Sequence, residues 1–192
     1  MKKHFIYLFL ITSMCSCGWF ASDKDSDNLN ILIKSKQAGD YKIGDDIDKI
    51  ELTNNQTFSS VEVPVGEGET EVRWFLKDNN LELLKFSEGK GKNNTKIIRE
   101  IEVLSPLYQT KQRIGIGSNL DKLVEVYDDL KIWYTYVSGR FIAETSELEN
   151  IQFIIDPETY SGSWESLFDS DMVNLAVSDF TPDAKVISIR IF

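Results

Sequence analysis

Apolar and polar residues alternate in nine short runs of this chain, and a period of two is typical of strands with one buried face. The predicted strands cover residues 29–34, 58–65, 71–77, 81–86, 96–104, 132–137, 140–145, 151–156 and 186–192. Turn-forming residues separate several of them, as in Asp78-Asn79-Asn80 and Ser138-Gly139. Because short turns join antiparallel neighbours, the pattern predicts antiparallel sheet.

At two places, the spacing of the apolar residues changes from the period of a strand to the period of a helix. The N-cap serine Ser118 is followed by an apolar stripe at helical spacing, which we expect to lie on the sheet. Its members are Leu120, Leu123, Val124 and Tyr127. A shorter helix is predicted to begin at Asp45 or Asp46, with Ile47 and Ile50 buried.

The two helix starts belong to a longer internal similarity. Residues 43–50 align with 116–123 at an offset of 73, from Ile-Gly at the start to Asp-Lys near the end. Residues 80–84 align with 150–154 at an offset of 70, and 96–98 with 185–187 at an offset of 89. Three blocks in the same order indicate a duplicated unit of one helix and antiparallel strands.

The expected fold class is therefore α+β, with two degenerate repeats of a short helix plus antiparallel strands packed into one sheet-rich body. The first repeat covers residues 29–110 and the second 111–192. The change of offset places an insertion in the second repeat, near 157–177. This insertion either folds back on the sheet as a lid or forms a loop that contacts a partner.

The first seventeen residues have the layout of a bacterial lipoprotein signal. Lys2 and Lys3 precede an apolar run, and small residues lead to Cys17. This segment resembles the lipobox of Gram-negative lipoproteins, with Ser16 before the cysteine that carries the lipid. We expect removal of residues 1–16, acylation of Cys17 and an acidic flexible tether over 17–28. An ordinary secretory signal is the alternative.

The composition limits the binding partners and the catalytic groups that the chain can have. The chain of 192 residues has 21 basic and 31 acidic side chains and a net charge of -10, which argues against nucleic acid as a partner. The only histidine, His4, and one of the two cysteines, Cys15, lie in the predicted signal. The mature chain would then have no histidine and no free thiol, which excludes catalytic triads and histidine-ligated metals. We expect no catalytic residue, cofactor or metal.

Two further segments resemble uncharacterised envelope lipoproteins of Gram-negative bacteria. These are residues 101–127, with a Ser-Pro step before a glycine-rich helix start, and residues 179–189 at the last strand. More remotely, a repeated unit with a glycine before each helix is similar to β-lactamase inhibitory proteins and to the small lipoprotein of the outer-membrane assembly machine. The resemblance implies binding to proteins and no catalysis.

Aromatic residues are the candidate contacts with a partner. Within 132–137, Tyr134 and Tyr136 share one face of the predicted strand and Trp133 lies on the other. If one face is core, the opposite face exposes at least one large aromatic side chain, as interfaces often do, whereas a sheet covered on both faces would bury them. The insertion adds Tyr160 and Trp164 to the candidates.

These observations predict a lipid-anchored protein of the cell envelope that binds another envelope or extracellular protein as an inhibitor, immunity protein or assembly accessory. Acyl chains on Cys17 would hold it to the outer membrane, and Ser22 with the acidic residues after it favours the cell surface over the periplasmic face. The acidic charge favours a basic partner. The alternatives are a lipoprotein that contacts carbohydrate and a glycoside hydrolase that uses only carboxylates.

Overall fold

The computed structural model describes residues 31–66 and 68–192. The predicted signal, the cysteine predicted to carry the lipid and the predicted tether lie outside these residues. The described chain forms an antiparallel sheet of nine strands, a small antiparallel sheet of three strands and one α-helix, which confirms the sheet-rich α+β class. Within the described part of the chain, no helix combines the length and apolar character needed to cross a membrane.

The strands of the small sheet are β1 (Ile33–Lys34), β2 (Gln37–Ala38) and β3 (Tyr41–Lys42). The large sheet contains β4 (Gln56–Gly66), β5 (Glu69–Asp78), β6 (Leu81–Lys90), β7 (Lys96–Val103), β8 (Lys131–Thr135), β9 (Arg140–Glu144), β10 (Ile151–Ile155), β11 (Met172–Leu175) and β12 (Val186–Ile191). The helix α1 is Leu120–Val126. Short 3-10 helices are Ile47–Lys49, Lys92–Asn94, Pro157–Thr159, Glu165–Phe168 and Val177–Asp179.

The large sheet consists of two antiparallel meanders joined through their last strands. Its order is β11-β8-β9-β10-β12-β7-β6-β5-β4, so β4 to β7 form one meander and β8, β9, β10 and β12 form the other. The junction is the antiparallel pairing of β7 with β12, in which Glu102 faces Arg190. The insertion between β10 and β12 contributes β11, which extends the sheet beyond β8.

The hydrophobic core lies on one face of the large sheet. Under the junction, Ile101, Val103, Ile189 and Ile191 are fully buried. Of the predicted apolar stripe, Leu120, Leu123 and Tyr127 join this core, and the ring of Tyr127 lies 6.0 Å from that of Phe153 on β10. The prediction was wrong for Val124, which is 42% exposed on the solvent side of α1. Burying side chains of this size contributes about 1.5–3 kcal/mol each, so the apolar stripe holds α1 against the sheet.

Most of the predicted elements are confirmed. Eight predicted strands correspond to strands of the large sheet with small changes in length. Of the predicted strand at 29–34, residues 31–34 are described, and Ile33–Lys34 are in a strand. The predicted helix begins after Asn119, because the Ser118 hydroxyl accepts the Gly115 N–H at 3.0 Å and does not cap the helix. The shorter helix is a single 3-10 turn capped by Asp46, with Ile47 buried as predicted and Ile50 only half-buried.

The same backbone contact occurs before both helical segments. The Gly44 N–H donates to the Ile98 carbonyl at 2.8 Å, and the Gly117 N–H donates to the Val186 carbonyl at 2.8 Å. Both glycines have positive φ, 94° and 84°. The two acceptor residues are 88 positions apart, one fewer than the offset of 89 in the alignment of the sequence.

The insertion packs against the end of the sheet at β8 and β9. Leu167 is fully buried, and the ring of Trp164 lies edge-on to Phe141 with 5.7 Å between centroids. Val173 of β11 pairs with Tyr134 of β8. The insertion therefore has one side in the core and one side in solvent, where Phe168 is largely exposed.

Replacing Gly117 with Ala is expected to lower the free energy of unfolding by about 1–2 kcal/mol, because a side chain disfavours φ of 84°. No heavy atom lies within 4 Å of the added Cβ, so backbone strain alone is tested. Asn tolerates positive φ, and Gly117→Asn is expected to cost less. Urea denaturation measures both. Equal losses for the two variants would contradict a backbone cause.

Candidate functional site

The face of the large sheet opposite the core carries the candidate site. Its side chains alternate with the core residues along the same strands, and we call it the open face. On β7, Glu100 and Glu102 alternate with Ile101 and Val103. The other open-face residues used below are Arg73 on β5, Lys85 on β6, Trp133 on β8, Arg140 on β9, Gln152 on β10, and Ser188 and Arg190 on β12.

The centre of the open face is a network of ion pairs across the junction. The Arg190 guanidinium donates to both carboxylate oxygens of Glu100, with Nε–Oε1 at 2.9 Å and Nη2–Oε2 at 2.6 Å. It also donates to the Gln152 side chain at 3.2 Å. This bidentate pairing is the strong form of a guanidinium–carboxylate contact, so the network connects β10, β12 and β7.

Glu102 lies beside this pair and is almost fully buried. It forms an ion pair with Lys85 and accepts a hydrogen bond from the Ser188 hydroxyl at 2.9 Å, while the Arg140 guanidinium is 3.9 Å away. Burial acts to raise the pKa of Glu102, but Lys85, Arg140 and Ser188 together outweigh it and the pKa is lowered. Glu102 is therefore ionised at neutral pH and is ill suited to act as the general acid of a glycosidase.

A cavity of about 310 Å³ opens beside the network. Five cationic side chains and three carboxylates line it, so its walls carry a surplus of positive charge in a chain of net charge -10. Glu71 forms an ion pair with Arg99, and the Arg73 guanidinium is 3.6 Å from the same carboxylate. Each of the three carboxylates has its own cationic partner. Two of the five cations therefore have no carboxylate of their own.

Two guanidinium groups of the cavity, those of Arg73 and Arg140, make no hydrogen bond to other described residues. The Arg73 Nε is buried and has no acceptor in that part of the chain. The nearest carboxylate oxygen to Arg140 is the 3.9 Å contact with Glu102, which is too long for a hydrogen bond. Both side chains are about one third exposed, at 32%. Both residues line the cavity, so a ligand that enters it can contact the exposed part of each side chain.

The predicted contact residues occupy different places. Trp133 is on the open face, where it pairs across the sheet with Ile142. Tyr134 and Tyr160 are buried and pack around Phe141, with ring centroids 5.0 and 4.8 Å from it. These two tyrosines belong to the core and cannot reach a partner without a rearrangement.

Tyr136 and Trp164 lie near the turn between β8 and β9. They are 56% and 48% exposed, and Tyr136 packs edge-on against Phe168 at 5.6 Å. Contact with a partner stays a prediction for them and for Trp133. The structure does not bring the five predicted residues together on one surface. Because β8 ends at Thr135, Tyr136 lies in the turn and its side chain no longer follows the alternation of the strand.

The charged open-face residues were missed by the sequence analysis. Their signal is a charged side chain between apolar neighbours, as in Ile101-Glu102-Val103 and Ile189-Arg190-Ile191. This alternation predicts the face of each residue. It cannot predict which strand is adjacent, and the pairing of β7 with β12 joins residues that are 86 to 90 positions apart.

A second, larger cavity of about 790 Å³ lies near the small sheet. Tyr41, Tyr108 and Leu83 line it, together with several acidic side chains. Burial, with a smaller effect of nearby Tyr41 and Asp40, raises the pKa of Tyr108, so this phenol stays protonated. Ile31, the first described residue, is part of its wall.

Among the described residues, no group of three or more His, Cys, Asp and Glu side chains is placed to hold a metal ion. Comparisons with protein-family models, with curated proteins and with solved structures find no match to this chain. The function is therefore argued from the geometry of the open face.

Replacing Glu102 with Gln is expected to lower the free energy of unfolding by about 3 kcal/mol near pH 7, because Lys85 loses its counterion in a buried setting. The lowered pKa of Glu102 means that the ionised side chain stabilises the fold above the pKa of an unfolded Glu, about 4.3, and that this contribution is lost as pH falls through the folded value. The difference between wild type and variant should therefore shrink below about pH 4. Urea denaturation at both pH values measures it.

The matched control is Glu62→Gln. Glu62 is exposed on β4 and forms no ion pair with another described residue. Its substitution is expected to change the free energy of unfolding by less than about 0.5 kcal/mol. An equal effect of the two substitutions, or a loss for Glu102→Gln that does not depend on pH, would show that the ion pair does not stabilise the sheet.

Proposed function

We propose that this chain is a lipid-anchored protein of the cell envelope that binds another protein through its open face and does not catalyse a reaction. The observation that carries this proposal is the charged network on the face of a nine-stranded sheet whose other face is core. The face carries several arginine side chains and a half-buried tryptophan, and these two residue types are enriched at protein interfaces.

The size of the open face suits this role. Nine strands at about 4.8 Å spacing give a width of about 38 Å, and strands of four to eleven residues are roughly 13–37 Å long. A protein partner needs about 800 Å² of surface on each side for a specific complex. A fraction of the open face therefore supplies enough area without any loop movement.

The network also prepares the face for binding. Arg190, Glu100, Lys85 and Glu102 are held by ion pairs with one another and by the strands that carry them. Long charged side chains usually lose rotamer freedom when a partner orders them, and this costs about 0.5–1.5 kcal/mol each. Side chains that are fixed before binding avoid most of that cost.

The two halves of the chain are, in this proposal, degenerate copies of one unit. Support comes from the matching Gly44–Ile98 and Gly117–Val186 hydrogen bonds and from the junction itself. Ile101 is 88 residues before Ile189, and Ile191 is 88 residues after Val103. Exchanging the two halves therefore converts the Ile101–Ile191 pair into the Ile189–Val103 pair, as a two-fold relation requires. The centre of that relation is the Glu102–Arg190 pair, so duplication would explain why the polar network lies at the middle of the face.

The lipid anchor follows from the resemblance of residues 1–17 to a lipoprotein signal. The same reasoning favours the outer membrane and its external surface. The remote similarity to β-lactamase inhibitory proteins points toward protein binding as well. Contact with carbohydrate is the second candidate, and it is favoured by one observation: Trp133 lies beside Asn174 across the sheet, and sugar-binding sites combine aromatic faces with amides.

Site-specific photo-crosslinking in native cells tests the binding face. Val61 and Ile187 are exposed aliphatic residues on or beside the open face, at 53% and 40%. A photoreactive amino acid at either position is expected to form an adduct with the same protein. The control is Val124 on α1, which is 42% exposed on the opposite side of the molecule and should give no such adduct. Adducts at Val124 alone, or none at any position, would contradict the proposal.

Cys17→Ser tests the anchor separately. The substitution removes the acylated sulfur, and we expect the chain to move from the membrane fraction to the soluble fraction, because each buried methylene of an acyl chain contributes about 0.8 kcal/mol to membrane binding. Fractionation with immunoblotting measures the distribution, and mass spectrometry of the wild-type chain measures the lipid. A wild-type chain with an unmodified Cys17 thiol would refute the anchor while leaving the crosslinking test unaffected.

A further inference from the structure

The acidic composition of the chain predicts a basic partner, but the open face has the opposite local charge. The cavity beside the junction is lined by five cations and three carboxylates. The whole chain has ten more acidic than basic side chains, so its acidic surplus lies elsewhere. A group that enters this cavity meets a positive potential within a generally negative field, and charge complementarity selects an anion.

The unsatisfied donors of the cavity belong to Arg73 and Arg140. The three carboxylates are each used by another cation: Glu100 by Arg190, Glu102 by Lys85 and Glu71 by Arg99. Arg73 and Arg140 make only longer contacts, 3.6 Å to Glu71 and 3.9 Å to Glu102. Both side chains are partly exposed at the cavity, so a carboxylate that enters can accept charge-assisted hydrogen bonds from them.

The open face already shows which acceptor a guanidinium takes there. Arg190 holds Glu100 by two parallel hydrogen bonds, which is the fork geometry that suits a carboxylate. We propose, building on the protein-binding function above, that the partner inserts an Asp or Glu side chain into this cavity and that Arg73 and Arg140 bind its carboxylate. The partner's acidic side chain thus completes a network whose own carboxylates are already engaged.

The cavity is therefore a specificity site within the larger interface. A carboxylate in it gains charge-assisted hydrogen bonds from two arginines whose backbone positions are fixed by the strands, and a neutral or basic side chain at the same place leaves the donors unpaired. The acidic remainder of the chain repels a partner that is acidic throughout. The partner class is thus a protein with an isolated acidic side chain on its contact surface.

The test uses the full chain in detergent, with arginine side chains labelled for NMR. The probes are the peptide acetyl-Gly-Glu-Gly-amide and its neutral counterpart acetyl-Gly-Gln-Gly-amide. The Glu peptide is expected to shift the Nε–H resonances of Arg73 and Arg140 with a dissociation constant in the millimolar range, about 1 mM or weaker for one side chain. The Gln peptide is expected to shift neither resonance.

Arg73→Gln and Arg140→Gln are each expected to weaken binding of the Glu peptide about tenfold, which is the effect of losing a hydrogen bond to a charged group. Arg113→Gln is the matched control, because Arg113 is exposed on the loop before α1 and outside the cavity. The unfolding midpoint of each variant verifies that it is folded. The Arg73 and Arg140 resonances of the wild-type chain report directly on the cavity. The peptide titration is therefore informative even if a variant does not fold.

Two further probes separate the sources of the anion. Methyl galacturonide carries a carboxylate on a sugar, and inorganic phosphate carries a phosphoryl group. Tighter binding of either one than of the Glu peptide would overturn the assignment to a protein side chain, in favour of an acidic glycan or a phosphorylated ligand respectively. Absence of any shift at Arg73 and Arg140 would overturn the anion site itself. Because crosslinking at Val61 and Ile187 does not probe the cavity, a positive crosslinking result would still stand in that case.

Discussion

The pairing of β7 with β12 is the contact on which the rest of the structure depends. Only three residue pairs form it, yet it converts two four-stranded meanders into one sheet and removes an open edge from each. Its two faces differ completely. Four fully buried aliphatic side chains lie on the core side, and the pairs made by Glu102 and Arg190 lie on the other.

This division follows from the alternation of side chains along a strand. A charged residue at every second position of a central strand must face away from the core, because burial among aliphatic side chains without a partner would cost several kcal/mol. On the open face, the same charges find partners on the neighbouring strands. The strands that build the core thus also fix the spacing of the charged groups, and the open face inherits the rigidity of the sheet.

The outer parts of the molecule are arranged around this centre. The insertion extends the sheet by β11 and places Leu167 in the core, which leaves Trp164 and Phe168 at the end of the hairpin. Aromatic residues therefore collect mainly at the ends of the sheet, while charged residues occupy its middle. A partner that covers the open face would contact charged side chains at the centre of the face and Trp133 near its margin. In such an interface, the fixed polar centre sets the orientation of the partner.

The sequence by itself determined eight strands of the large sheet, the position of α1 and the sheet-rich α+β class, because a period of two and a period of 3.6 are local properties of neighbouring residues. It did not reveal β2, β3 and β11, which are short strands that depend on pairing with distant residues. Local alternation also could not decide which face of β8 is core, so Tyr134 and Trp133 were equal candidates until the packing around Phe141 separated them. Only the tertiary structure brought Glu102, Lys85, Arg140 and Arg190 together, since they come from four strands and strand order is set by the packing of the whole sheet.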